Sequence, residues 1–185
     1  MASVTVDTER KEHMSNEILH IVKLNENAVI PKRGTDGSAG YDLFVPTDSD
    51  DIIIKPHQTV KVHTNIAMEI PRYVFGAIFA RSGTATKRGL RPANCVGVVD
   101  PDYRGDIIVA LHNDTDVDQK IEAGERIAQI VFVPFVLFDF ELVDKLEETE
   151  RGSGGFGSTG FAGIINAEFE EIPGQTDIFD YLANI

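Results

Sequence analysis

"TVKVHTNIAMEI", Thr59 to Ile70, decides the fold class of this chain. Val60, Val62, Ile66, Met68 and Ile70 recur at every second position, with Lys61, His63, Asn65 and Glu69 between them. Such alternation puts one side of an extended strand on a core and the other side in water. The same reading carries outward. "ILHIVKL" (18–24), "DIIIKP" (51–56), "FGAIFA" (75–80), "CVGVVD" (95–100), "DIIVALHN" (106–113) and "RIAQIVFVPF" (126–135) are short, rich in Val and Ile, and separated by Gly, Pro, Asp and Asn. These are strand and turn signals. No window of helical length carries a 3.6-residue apolar stripe, although "GTATKRG" (83–89) is long enough for one or two helical turns. The expectation is an all-β chain folded as a jelly-roll-like barrel or sandwich.

Composition narrows the partners. With 185 residues and 42% hydrophobic content, one domain with a sizeable core and tails is expected. A net charge of -13 argues against a nucleic acid backbone as the main partner, which needs clustered cations. A single cysteine, Cys95, excludes a disulfide framework within the chain and fits a reducing compartment. No apolar run approaches about 18 residues, and the longest, 130–138, is broken by Pro134. The expectation is a soluble cytoplasmic or otherwise intracellular protein with no membrane contact. The five histidines show no paired ligand spacing, so a protein-ligated zinc site is not expected.

Residues 1–16 are polar without periodicity and are expected to be disordered; residues 17–150 form the β domain. A glycine-rich arm follows at 151–160, "RGSGGFGSTG", which cannot hold a core. Residues 161–185 are an acidic extension without Lys or Arg. Its end, "DIFDYLANI", is either a solvated tail or a short helix with Ile178, Phe179, Leu182 and Ile185 on one side, a surface for other copies of the chain or for a protein partner.

Five segments carry the chemistry, each weak alone. "AGYDL" (39–43) sets Asp42 beside a glycine, and by itself reads as a strand leaving a turn. "ARSGTATKRG" (80–89) joins Arg81, Ser82 and Gly83, a cation, a hydroxyl and backbone N–H groups free to converge on an anion; a solvated turn is the plain alternative. "CVGVVDPDYRG" (95–105) ends an apolar, expectedly buried strand in Asp100, with Tyr103 three positions on. Pro101 sets the turn and Gly105 offers dihedrals closed to other residues. A buried carboxylate is costly unless partnered or used. In "GERIAQIVF" (124–132), Gln129 is the one polar residue after Arg126. The arm is no P-loop, because no Gly-Lys-Ser/Thr follows, yet a mere linker has no need of Arg151 and Phe156.

In this order and spacing, the five segments resemble the trimeric dUTPase family (dUTP diphosphatase) from about Ile18 to Gly160. The resemblance implies a β jelly roll and a homotrimer with active sites between subunits, each closed by a glycine-rich arm. It implies hydrolysis of dUTP to dUMP and pyrophosphate, which limits dUTP incorporation into DNA and supplies dUMP for dTMP synthesis. Asp100 would activate water for attack on the α-phosphorus. Tyr103 would pack under the deoxyribose and leave no room for a 2′-hydroxyl. Asn94 with backbone groups from Cys95 through Val98 and Val99 would form a hairpin that reads uracil. Discrimination of this kind reaches about 10⁴-fold, because a wrong base leaves buried polar groups unpaired. Arg81, Ser82, Gly83 and Gln129 would hold phosphates. Arg151 would meet the γ-phosphate, Phe156 would stack on uracil, and Gly157 and Ser158 would complete the cradle. Mg²⁺ would be held mainly by the triphosphate and water, with Asp42 supporting it through water.

Two departures leave alternatives. Pro101 is shared with dCTP deaminases of the same fold, but where those enzymes carry a catalytic Glu after the turn this sequence has Ala110. The acidic extension beyond the arm is unusual and suits a regulatory interaction protein of the same fold.

Overall fold

The computed structural model describes residues 18–154. The segments 1–17 and 155–185, with the expectations for Phe156, Gly157, Ser158 and the acidic extension, lie outside the described residues. Two compact units divide after Phe138. The first contains every strand of the described residues. In the second, the described residues 139–154 contain turns but neither strand nor helix, and the expected boundary at 150 falls inside it.

The first unit is almost entirely β, as the alternation predicts. Its strands run β1 His20–Lys23, β2 Lys32–Arg33, β3 Tyr41–Phe44, β4 Ile52–Ile54, β5 Thr59–His63, β6 Ile66–Glu69 and β7 Val74–Phe79. One helix, α1 Ser82–Arg88, precedes β8 Leu90–Pro92, β9 Gly97–Val99, β10 Ile108–Asn113, β11 Gln119–Ile121 and β12 Arg126–Pro134. The largest sheet has the order β2-β3-β12-β7-β9, and a second has β5-β10-β8. The pairs β1-β6 and β11-β4 complete a jelly-roll-like shell. Every strand pairing is antiparallel.

The core lies between these sheets and holds Leu43, Ile54, Ile66, Leu90, Leu111 and Ile130, all fully buried. Thr59–Ile70 is not one strand. It breaks between His63 and Ile66, where Asn65 takes a left-handed φ of 55°, a conformation that Asn tolerates better than most side chains. The alternation persists through the break, so the core face is kept while the chain changes sheets. Among the described residues, no helix is long and apolar enough to cross a membrane.

Helix α1 occupies the "GTATKRG" segment. Gly89 ends it at φ 61°, the left-handed cap that costs glycine little. A side chain there is doubly disfavoured, since its Cβ would fall 2.5 Å from Thr115 Cγ2. Arg88 ties the helix to the β11–β12 region by hydrogen bonds to the Glu125 carboxylate and the Lys120 carbonyl.

Candidate active site

The turn after β9 builds a cleft of about 210 Å³ whose lining includes Asn94, Val98, Val99, Asp100, Tyr103 and Asp106. Five of these were named from the sequence. The turn is closed by the Tyr103 N–H donating to the Asp100 carbonyl at 3.1 Å. Arg104 Nη1 donates to the Pro101 carbonyl at 2.7 Å. Asp100 is exposed on this chain rather than buried, because β9 is an edge strand with alternating burial. Its carboxylate has no hydrogen-bond or ion-pair partner among the described residues.

Gly105 has a different reason from the expected one. Its φ is not positive; instead a Cβ would lie 2.5 Å from Tyr103 Oη and 2.7 Å from Cζ. The missing side chain lets the tyrosine ring fold back over the loop. Tyr103 Oη then donates to the Asp106 carbonyl at 2.9 Å.

The Asn94 turn is not a hairpin of two mutually bonded strands. β8 pairs with β10, whereas β9 pairs with β7, so residues 93–96 cross between sheets. Cys95 takes φ 63° within this crossing. Gly97 permits close packing there, its Cβ position lying 3.4 Å from Asn94 Nδ2. Arg91 braces the crossing: its side-chain hydrogen bonds to Asp114 raise the guanidinium above its ordinary value.

Arg81, Ser82, Gly83, Gln129 and Asp42 form a second group. Gln129 on β12 is paired with both Asp42 and Phe79, and its Nε2 donates to the Ala80 carbonyl at 3.0 Å. A Cβ on Gly40 would fall 2.4 Å from Gln129 Oε1, so the glycine of "AGYDL" admits this side chain. Asp42 is held by two guanidinium groups, Arg81 Nε at 2.7 Å and Arg126 Nη1 at 3.2 Å. That leaves both Nη groups of Arg81 without a partner among the described residues. Ser82 and Gly83 are exposed at the first turn of α1, where backbone N–H groups have no intrahelical acceptor.

The two groups are separated on one chain. Val99 is paired with Gly76, but Gln129 is paired with Phe79, an offset of about 10 Å along β7. Asp100 and Arg81 each continue away from the other beyond those positions. Arg151 lies in the second unit, with Nε donating to the Gly154 carbonyl at 2.9 Å. Among the described residues, no group of three His, Cys, Asp or Glu side chains could hold a metal ion.

Sequence reasoning passed over Asp106, His63 and the structural part of Arg126. Asp106 Oδ2 lies 2.7 Å from His63 Nδ1, while Oδ1 is buried without a hydrogen-bond partner among the described residues. Arg126 was visible as the cation preceding Gln129; His63 gave no signal beyond its place on a strand.

The all-β scaffold presents a cleft at an edge-strand turn, flanked by an unpartnered carboxylate and an aromatic ring. Residues 26–160 match the family model for dUTPase. A deoxyuridine 5′-triphosphate nucleotidohydrolase of Desulfitobacterium hafniense is 47% identical over 140 residues, which cover 75% of this chain and 92% of that protein. One from Paramecium bursaria Chlorella virus 1 is 41% identical, covering 77% and 97%. A solved structure of the Staphylococcus bacteriophage 80alpha dUTPase, a variant with dUpNHpp, superposes with TM-score 0.71 at 29% identity. It covers 77% of this chain and 98% of the phage chain. This chain belongs to the dUTPase family.

Proposed function

We propose that this chain hydrolyses dUTP to dUMP and pyrophosphate. The observation that carries the reading is the cleft in which Asn94, Val98, Val99, Asp100 and Tyr103 converge. Water held by Asp100 gives up a proton to the carboxylate as its oxygen bonds to the α-phosphorus. The bond from that phosphorus to the bridging oxygen breaks, and pyrophosphate leaves. An exposed carboxylate with no competing donor suits that role, since its lone pairs remain open to water. Tyr103, set over Gly105, is the platform for the deoxyribose. Asn94 and the backbone of Val98 and Val99 read uracil.

Arg81, Ser82, Gly83 and Gln129 bind phosphates. Asp42 holds the Arg81 guanidinium by Nε and so presents its two Nη groups to an anion. The family is consistent with a divalent metal requirement, and we assign Mg²⁺. We assign it as an ion carried in mainly by the triphosphate and water. It would neutralise phosphate charge when bound. Asp42 would reach it through water, since each carboxylate oxygen can accept a second hydrogen bond.

The offset between the cleft and the phosphate group supports a site completed between copies of the chain, in a homotrimer. Val136, Leu137 and Phe138 are 71%, 82% and 75% exposed, and an apolar run so exposed favours a partner surface. On the resemblance of the arm's sequence to the family's, Arg151, Phe156, Gly157 and Ser158 are assigned to nucleotide binding. Deamination of dCTP is disfavoured because β10 presents Ala110 where that chemistry needs a carboxylate. The deciding measurement is pyrophosphate release from dUTP, dCTP, dTTP and UTP in turn, with ammonia followed for dCTP. Ammonia release from dCTP would refute the reading.

A further inference from the structure

His63 ends β5, where it is paired with Ile108 across the sheet. Its Nδ1 lies 2.7 Å from Asp106 Oδ2. An ionised carboxylate only accepts, so Nδ1 carries the proton. The Asp106 side chain is 16% exposed, and Oδ1 is buried with no hydrogen-bond partner among the described residues. His63 is therefore the one donor to this carboxylate among them. The same residue supplies the carbonyl that receives Tyr103 Oη, and both Asp106 and Tyr103 line the cleft.

We infer that His63 is a positioning residue for sugar selection. By holding the Asp106 carboxylate in the wall, it steadies the carbonyl that seats Tyr103 and keeps a charge out of the space the deoxyribose occupies. The inference rests on the reading of Tyr103 as the sugar platform. Without the histidine, a largely buried carboxylate has no donor and turns toward the cleft mouth to regain water. The neighbouring backbone does not depend on this pair. Ile107 N–H donates to the Ile66 carbonyl at 2.9 Å, and Thr64 Oγ1 donates to the Ile107 carbonyl at 2.6 Å. Substitution at His63 should therefore leave the sheet folded.

The test compares His63→Phe, which keeps a ring but loses the donor, with His63→Asn, whose amide can donate from nearly the same place. The readouts are KM and kcat for dUTP and the dUTP-to-UTP ratio of kcat/KM. His63→Phe should raise KM for dUTP about tenfold and lower the ratio about tenfold, the effect of one hydrogen bond, with kcat within about twofold. His63→Asn should restore both. In an Asp106→Ala background, His63→Phe should have no further effect, because the carboxylate it controls is gone. Parental KM and selectivity in His63→Phe would overturn the inference, as would failure of His63→Asn to rescue or additive losses in the double variant. If His63→Phe does not fold, His63→Ala, which also lacks the donor, takes its place in every comparison, with the same expected and overturning results. Tyr103→Ala in parallel separates the two readings: unchanged selectivity there overturns the platform assignment itself, whereas a selectivity loss confined to Tyr103→Ala overturns only the role of His63.

Discussion

Mixing two inactive variants should recover activity if the site is shared between chains. Asp100→Asn removes the proposed base in the cleft, and Arg81→Ala removes the guanidinium of the proposed phosphate-binding group. Each alone should lose about 10²–10⁴-fold in turnover. The pairings of Val99 with Gly76 and of Gln129 with Phe79 put these groups about 10 Å apart along β7. Asp100 and Arg81 diverge further from there, an arrangement that suits a site shared between copies of the chain. In a closed ring where each site takes its cleft from one copy and its phosphate group from another, an equal mixture pairs intact with intact in about one site in four. Subunits co-expressed or refolded together should therefore show about a quarter of parental pyrophosphate release, against almost none for either variant alone. Because the Asp100 side chain has no partner among the described residues, its amide replacement should leave unfolding within about 0.5 kcal/mol of the parent. A mixture no more active than its components, in a preparation shown by size to contain mixed oligomers, would refute the shared site. It would also require both groups to meet within one chain.

Three further outcomes follow from the geometry. Gly105→Ala should push the Tyr103 ring by about 1 Å, since its Cβ would lie 2.5 Å from Oη. We expect kcat/KM for dUTP to fall about 10²-fold and stability to fall by only about 1 kcal/mol, read by kinetics beside denaturant unfolding. Arg88→Met should cost about 2 kcal/mol, because it leaves the partly buried Glu125 carboxylate without its guanidinium; an unchanged denaturation midpoint would count against that clamp. Truncation after Glu150 should abolish efficient turnover while the β unit stays folded, whereas truncation after Gly160 should leave dUTP hydrolysis intact. Severe loss on the second cut would place a catalytic contribution in residues 161–185.

The fold was legible because alternation survives its interruptions. Val62, Thr64, Ile66 and Met68 are all buried although the chain changes sheets at Asn65, so the core face could be read without knowing where one strand ended. The sheet change itself was not legible, because Asn65 is as ordinary on a strand surface as in a left-handed turn. The cleft residues were legible for a related reason: the Asp-Pro-Asp turn and Tyr103 sit within one short segment, and local geometry forces them together. What the sequence hid is long-range. His63 meets Asp106 across β5 and β10, and Arg126 meets Asp42 across β12 and β3. Neither partner has a local pattern that announces the other. Gly105 shows a third kind of gap, in which the residue was read correctly as necessary but for its dihedrals rather than for the space it leaves.

Three carboxylates close to the assigned site residues are distinguished by what already holds them. Asp42 is bound by Arg81 and Arg126, so its two oxygens are already engaged by guanidinium donors. Asp106 is turned into the wall and bonded by His63. Of these three, Asp100 alone is both exposed and without a partner among the described residues, at a point where the strand has ended and the turn holds the backbone; Asp102, two positions on, is likewise exposed and unpartnered but does not line the cleft. A general base must offer lone pairs to water and keep a fixed place relative to the reacting phosphorus. The turn supplies the second requirement through the Tyr103 N–H bond to the Asp100 carbonyl, leaving the side chain to supply the first. The edge position of β9, which lies at the end of the largest sheet, makes both possible. A central strand would bury the carboxylate between neighbours, whereas an edge strand delivers it to the surface with its backbone still ordered by β7.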